Sequence, residues 1–245
     1  MINFRSLFRK VLPSGSKKTL QKLMLGYHSY APSFSSAGED MILRHLIGAE
    51  KRNGFYVDVG AFHPINSSNT YYFYLNGWRG INIDACPGSM AEFNKVRPRD
   101  TNLEAGVSDV NDELTYYFID KNSSMNSFSK EFLIEIGMHE SVKEEIKVPV
   151  YKLSQILDEH LSAGQTIDFL SVDVEGFDYN VLVSNDWDKY RARIVVVEDS
   201  YKDEGCSRVL DLLKSKDYEV CVKNVIILNK IAEYFLIDKK ADFTH

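Results

Sequence analysis

The hydrophobic pattern of the chain switches repeatedly between two periods. Short runs dense in β-branched and aromatic residues read as strands at 55–59, 80–84, 103–107, 167–172 and 194–198. Between them, apolar residues fall at helical spacing over 38–50, 68–76, 88–96, 153–161, 178–184 and 205–215. Ser36-Ala37-Gly38-Glu39 has the form of a capping box for the first helix, and Ser67, Ser68 or Asn69 caps the second. Added strands are predicted at 114–119 and 148–151, with a closing pair at 218–222 and 225–228. The run Ile194-Val195-Val196-Val197 suits a strand buried on both faces. Alternating β and α segments of this kind predict an α/β sheet, mostly parallel, with no internal repeat.

Two stretches fall outside that alternation. Residues 1–26 hold two short basic, amphipathic segments broken at Pro13-Ser14-Gly15-Ser16, followed by an irregular linker containing Pro32. Residues 1–35 therefore read as a basic N-terminal arm on a domain spanning 36–245. Residues 121–145 are polar, Ser/Asn-rich and then charged, which predicts a mobile insertion on the substrate side.

Charge sharpens this division. The 245 residues carry a net −6, but the first 38 hold six basic residues and no acid. The remainder has 23 Lys+Arg against 35 Asp+Glu. An acidic body repels phosphate backbones, so a nucleic-acid partner is not expected; no Asn/Asp-Pro-Pro-Tyr/Phe motif occurs either. The basic arm could touch an anionic membrane face, each basic residue contributing about 1 kcal/mol. Cys86, Cys206 and Cys221 form no C-x-x-C pair, which suits a reducing compartment and gives no zinc site. No apolar run reaches the roughly 18 residues of a membrane span, and the N-terminus lacks a clean signal-peptide core. A cytoplasmic protein, peripheral at most to the inner membrane face, is expected.

The chemistry concentrates at strand ends. The stretch Gly54-Phe-Tyr-Val-Asp-Val-Gly-Ala-Phe-His-Pro64 runs from a strand through Asp58 and Gly60 into a tight loop. Asp58 offers a carboxylate, and Gly60 would let backbone approach a ligand closely. About one βαβ unit later a second strand ends in Asp84, placed to accept both hydroxyls of a ribose. The pair points to an adenosine-containing cofactor. The loop lacks the G-x-G-x-x-G of a dinucleotide site and the chain lacks a P-loop. A phosphate-free cofactor fits, and S-adenosylmethionine brings a sulfonium charge that favours nearby carboxylates. Asp173 and Glu175 end a later strand on the same rim, and Glu198 ends the next. These three could serve as a base, bind sugar hydroxyls or ligate Mg²⁺. His63 is the best single candidate for a general base and a substrate contact. A backbone-bonded loop histidine is its structural alternative. The aromatic run Tyr71–Tyr74 with Trp78 suits either a sugar platform or packing, its helical spacing favouring packing.

Together these motifs resemble the FkbM family of S-adenosylmethionine-dependent methyltransferases. The resemblance spans roughly residues 36–200. It rests on Gly38-Glu39-Asp40, residues 55–64, Ser68-Asn-Thr-Tyr71, Gly77-Trp-Arg-Gly-Ile-Asn-Ile-Asp84, Arg97-Pro-Arg-Asp100, Val107-Ser-Asp109 and Asp173-Val-Glu-Gly176. It implies the class I, Rossmann-like methyltransferase fold, a seven-stranded mostly parallel sheet flanked by helices. It also implies that Asp58, Gly60 and Ala61 line the methionine end of the cofactor with Asp173, and that Asp84 holds the ribose. Ser108 and Asp109 would face the adenine and Glu39 would approach the cofactor's amino group. Plain structural roles stand beside these: turn chemistry for Ser108 and Asp109, and the capping box for Glu39. Relatives often carry Gln where this chain has Ser36. The family methylates mainly hydroxyl groups, on sugars and polyketides among others. The expected activity is therefore O-methylation of a small molecule, a sugar in a surface glycan or its nucleotide-linked precursor. N-methylation of an amino sugar, an NAD-dependent oxidoreductase and a non-catalytic scaffold are the alternatives.

Overall fold

In the computed structural model, residues 31–48, 51–200, 207–227 and 231–241 are described. The expected basic arm lies almost wholly outside them. Contacts divide the chain into residues 1–33 and residues 34–245.

The centre of the second unit is a seven-stranded sheet. The strands are β1 (Phe55–Val59), β2 (Arg79–Asp84), β3 (Thr101–Glu104), β7 (Ile167–Val172), β8 (Ala192–Ser200), β9 (Tyr218–Ile227) and β10 (Ile231–Asp238), in the order β3-β2-β1-β7-β8-β10-β9. Neighbours from β3 to β8 pair in parallel, and β10 runs antiparallel to both β8 and β9. The expected mostly parallel, seven-stranded sheet is the one found. Helices α1 (Glu39–Ile47), α2 (Tyr71–Leu75), α3 (Met90–Val96), α5 (Leu153–His160), α6 (Asp178–Val183) and α7 (Arg208–Ser215) supply most of the connections.

Both faces of the sheet are covered, as parallel strands require. Val57, Val59, Val195 and Val197 face a cluster that includes Leu153, Leu157, Leu182 and Leu213. Tyr56, Phe169, Ile194 and Val196 face a second cluster with Leu43, Phe73 and Trp78. The aromatic run at 71–78 is thus mainly packing. Phe73 lies 4.9 Å from both Trp78 and Phe169, centroid to centroid.

Several expectations are corrected. The predicted strand 103–107 is two strands in two sheets: β3 closes the main sheet, and β4 (Gly106–Val107) joins a three-stranded sheet with β5 (Asp112–Phe118) and β6 (Glu144–Tyr151). The insertion at 121–145 is built rather than loose. It holds α4 (Lys130–Glu135), a 3-10 turn at His139–Ser141 and the start of β6, and the Asn126 side chain bonds Ile119, Asp120 and Ser123. The predicted closing hairpin is a single strand, β9, paired with an unanticipated β10. The capping box does not form either. Gly38 precedes α1 at φ 89° without a side-chain cap, and Glu39 accepts from the Ala37 amide instead.

The register lines up polar residues on one face, Asn82 opposite Asp58 and Asp58 opposite Ser171. Arg97, fully buried, covers this row. It donates to Pro64 O at 2.8 Å, Thr70 Oγ1 at 2.7 Å, Asn82 Oδ1 at 3.2 Å and Ser68 Oγ at 2.6 Å. Thr70 in turn donates to Asp58 at 2.8 Å. Removing one member of such a buried charged network leaves the others uncompensated. Arg97→Met should therefore lose about 3–5 kcal/mol in urea unfolding. A loss under about 1 kcal/mol would deny the network that role.

Candidate active site

A cavity opens at the carboxyl ends of β1, β2 and β7. Gly60, Phe62, Asp84, Cys86, Asp173 and Glu175 line one part of it. Ala105–Val107 and Tyr116 form a second wall, and Lys121, Ser123, Ser124, Asn126 and Phe128 of the insertion form a third. Two contacts hold that third wall in place. Ser127 Oγ donates to Glu175 O at 2.7 Å, and a Cβ at Gly176 would meet Phe132 of α4 at 2.7 Å.

The predicted site residues divide by position. Gly60, Asp84, Asp173 and Glu175 line the cavity; Glu39, Asp58, Ala61, His63, Ser108, Asp109 and Glu198 do not. Asp84 accepts from the Phe62 amide at 2.9 Å and the Cys86 amide at 2.8 Å. Burial raises its carboxyl above the usual range against those bonds. Gly60 has a structural reason of its own. At φ 82°, a Cβ there would lie 1.7 Å from the Asp173 carbonyl oxygen, so glycine permits two strand ends to meet. Asp58 points into the Arg97 network, and burial pushes its carboxyl up to about 6, opposed by Arg97 and Thr70. Ala61 packs with Met90 and Phe93. Ser108 donates to Asp109 at 3.1 Å, and Asn180 of α6 donates to the same carboxylate at 3.0 Å. The Asn180 bond holds the Asp109 carboxyl below its ordinary value. The residues of that segment facing the cavity are Ala105, Gly106 and Val107.

His63 is a loop cap. Its Nδ1 accepts from the amides of Ile65 and Asn66, each at 3.0 Å, and Nε2 lies 3.8 Å from Glu92. A neutral ring bonded this way carries its proton on Nε2 and has no lone pair left for an alcohol. That geometry argues against the role of base.

The acids at the strand ends form a separate group. Ligand oxygens of Asp173, Glu175 and Glu198 lie within 4.8 Å of one another. Burial, followed by repulsion from Asp58 and Glu39, pushes the Asp173 carboxyl to about 6; burial, followed by repulsion from Asp173, pushes Glu175 to about 10 and Glu198 to about 9. Glu175 also sits in the left-handed region at φ 54°, an unfavourable conformation for a non-glycine residue. Glu233, to which no site role was given, proves to be part of this edge, and Arg97 of the network behind the β1 loop. Arg97 stands within the Arg-Pro-Arg-Asp motif, but nothing in its spacing signals its partners. Glu233 lies in a strand the hydrophobic pattern did not reveal.

The domain described as Methyltransferase FkbM domain matches residues 58–220, about two thirds of the chain. The chain belongs to the FkbM methyltransferase family. This sets aside the dinucleotide oxidoreductase reading. No curated protein matches the chain. Among solved structures, a TehB-like SAM-dependent methyltransferase from Corynebacterium glutamicum is 11% identical, with TM-score 0.41, covering 93% of this chain and 100% of its own. A precorrin-6y C5,15-methyltransferase from Geobacter metallireducens is 12% identical, with TM-score 0.46, covering 84% and 93%. A methyltransferase FkbM from Methylobacillus flagellatus is 12% identical, with TM-score 0.46, covering 77% of this chain and 45% of its own. These likenesses are distant, and the family assignment rests on the domain match. No helix among the described residues is long and apolar enough to cross a membrane.

Glu233 yields a pH test. Burial and then Glu39, with which it shares a hydrogen bond, push its carboxyl from an ordinary 4.5 up to about 11. The folded state therefore keeps a proton that the unfolded chain releases. The stabilising contribution is complete below about 4.5 and is lost as pH rises toward about 11. Glu233→Gln keeps a donor for Glu39. Its melting temperature should match wild type near pH 5 and exceed it by at least about 2 °C at pH 8. An equal gap at both pH values would show that Glu233 titrates normally.

Proposed function

We propose that this FkbM methyltransferase uses S-adenosylmethionine to methylate a hydroxyl of a sugar, in a surface glycan or its nucleotide-linked precursor. The observation that carries the cofactor reading is the placement of Asp84 and Asp173 on one cavity. Asp84 edges an apolar slot between Ile83, Ala105 and Val107, which suits an adenosine. Asp173 Oδ1 is buried without a hydrogen-bond partner, which suits a cationic group. The residues therefore fit the cofactor: Asp84 would hold the ribose hydroxyls, and Asp173 would face the sulfonium and ammonium charges. The sugar reading draws support from the insertion wall, where Ser123, Ser124 and Asn126 offer hydrogen bonds and Lys121 a positive charge.

When bound, the cofactor supplies an electrophilic methyl group: the oxygen–carbon bond forms as the carbon–sulfur bond breaks, and sulfur keeps the electron pair. The chain's own task is to align the acceptor oxygen and remove its proton. Glu175 is assigned the proton. It lines the cavity, and once ionised, a carboxylate whose burial raises it to about 10 is a strong proton acceptor.

Calorimetry with S-adenosylmethionine and S-adenosylhomocysteine tests the cofactor. Micromolar binding is expected, weakened at least about tenfold by Asp84→Ala and unchanged by Asp109→Ala. No binding to the wild type would remove the reading.

Turnover tests the assignment of the base once an acceptor is found, starting from nucleotide sugars. His63→Gln keeps an oxygen acceptor for the loop amides and should stay within about tenfold of wild type. Glu175→Gln should lose at least about a hundredfold. The reverse order would return the role to His63.

A further inference from the structure

Next to the cofactor cavity lies a group of acids larger than methyl transfer by itself explains. Asp173 and Glu175 follow directly on β7, and Glu198 stands on the neighbouring β8. Their ligand oxygens lie within 4.8 Å of one another. Among the described residues no Lys, Arg or His forms an ion pair with any of the three, and no side chain donates to the Glu175 carboxylate. The oxygens of an octahedral cation with metal–oxygen bonds of about 2.0–2.6 Å lie roughly 3–5 Å apart, and this group matches that spacing.

A second observation comes from another strand. Glu233 of β10 is directly opposite Glu198 in the antiparallel register, so the two side chains project from the same face. Glu233 is 6% exposed, and its Oε2 has no hydrogen-bond partner. A buried carboxyl oxygen left without a donor beside three other acids marks an edge with more acceptor atoms than donors, one that a positive charge would complete. The cavity itself ends at Asp173 and Glu175, so such a charge would stand next to the acceptor as well as the cofactor.

We propose that Asp173, Glu175 and Glu198 bind one divalent, oxygen-preferring cation, and that the cation holds two neighbouring oxygens of the acceptor. An all-carboxylate set selects Mg²⁺, Mn²⁺ or Ca²⁺ over the softer metals. Each carboxylate offers the cation one oxygen, which leaves Glu175 its second oxygen for the acceptor's proton; three protein oxygens leave three of six positions, enough for a vicinal diol and one water. The acceptor hydroxyl is thereby fixed in orientation and polarised. The acceptor part rests on the reading of the enzyme as a sugar O-methyltransferase; the cation site does not.

The test uses the full chain, stripped with chelator and titrated with MnCl₂ by electron paramagnetic resonance and calorimetry. One saturable site per chain is expected, weakened at least about tenfold by Glu175→Gln and by Glu198→Gln. Glu140→Gln, in the exposed 3-10 turn, should leave it unchanged. Both cluster substitutions are isosteric and remove like charge, and circular dichroism checks their folding. A measurement on wild type needs no variant: Mg²⁺ should displace bound Mn²⁺, and NaCl of equal ionic strength should not. The absence of a saturable site, unchanged binding in both variants, or displacement by NaCl would each overturn the cation site. S-adenosylmethionine is titrated in the same samples. Cofactor binding without Mn²⁺ binding sinks the cation site alone, and Mn²⁺ binding without cofactor binding sinks the methyl-donor reading alone.

Discussion

The buried guanidinium of Arg97 is the interaction on which the front of the site depends. A permanent charge with no solvent contact persists only where its donors are met. Here they are met by segments that are separate in sequence. Pro64 belongs to the loop after β1, Ser68 and Thr70 lead into α2, and Asn82 is central in β2. Thr70 passes the constraint on to Asp58. The aromatic rings of Tyr71, Tyr74 and Phe93 lie 5.3–5.9 Å from the guanidinium and close the space around it. The loop carrying Gly60 and Phe62 to the cavity is therefore fixed from behind, by residues that do not line the cavity.

A second constraint works in the opposite sense. Asp173, Glu175, Glu198 and Glu233 crowd like charges into a poorly solvated edge, which costs stability near neutral pH. Nothing in folding requires acids at those strand ends. The cost makes sense where the edge must receive positive charge, from a cationic methyl donor or from a metal ion. Arg97 and the acid cluster thus divide the labour: one locks the scaffold of an FkbM methyltransferase, and the other leaves its working edge electrostatically unfinished.

The parts of this arrangement legible in the sequence share a physical property. Strands β1, β2, β7 and β8 are buried on both faces, so each shows as a dense apolar run with an acid near its end. Where burial is partial, the pattern misleads. Asn224 reads as a turn, yet it lies within β9 and reaches Ala37 and Glu39. Its local preference is overridden by strand pairing with β10. Ala105 stands where one predicted strand changes sheets, and no local signal distinguishes a strand from two strands meeting end to end. The polarity of 121–145 sets that segment apart from the alternating core. Its order comes from contacts such as Ser127 with Glu175 and Phe132 with Gly176, which join segments far apart in sequence.

The sequence by itself determined the family, the parallel α/β core and the acids at the ends of β1, β2, β7 and β8, because periodicity and short motifs are local properties. The tertiary structure alone decided which of those acids work together. Asp58 and Asp84 look alike as strand-ending carboxylates. Register sets Asp58 opposite Asn82, within the Arg97 network, and places Asp84 two residues further along β2 on the same face, at the cavity. His63 looks like a base until the Ile65 and Asn66 amides occupy its lone pair. Glu233 acquires meaning only through its position opposite Glu198. Each of these outcomes depends on which atoms long-range pairing brings within hydrogen-bonding or Coulombic reach, a quantity that no window of sequence contains.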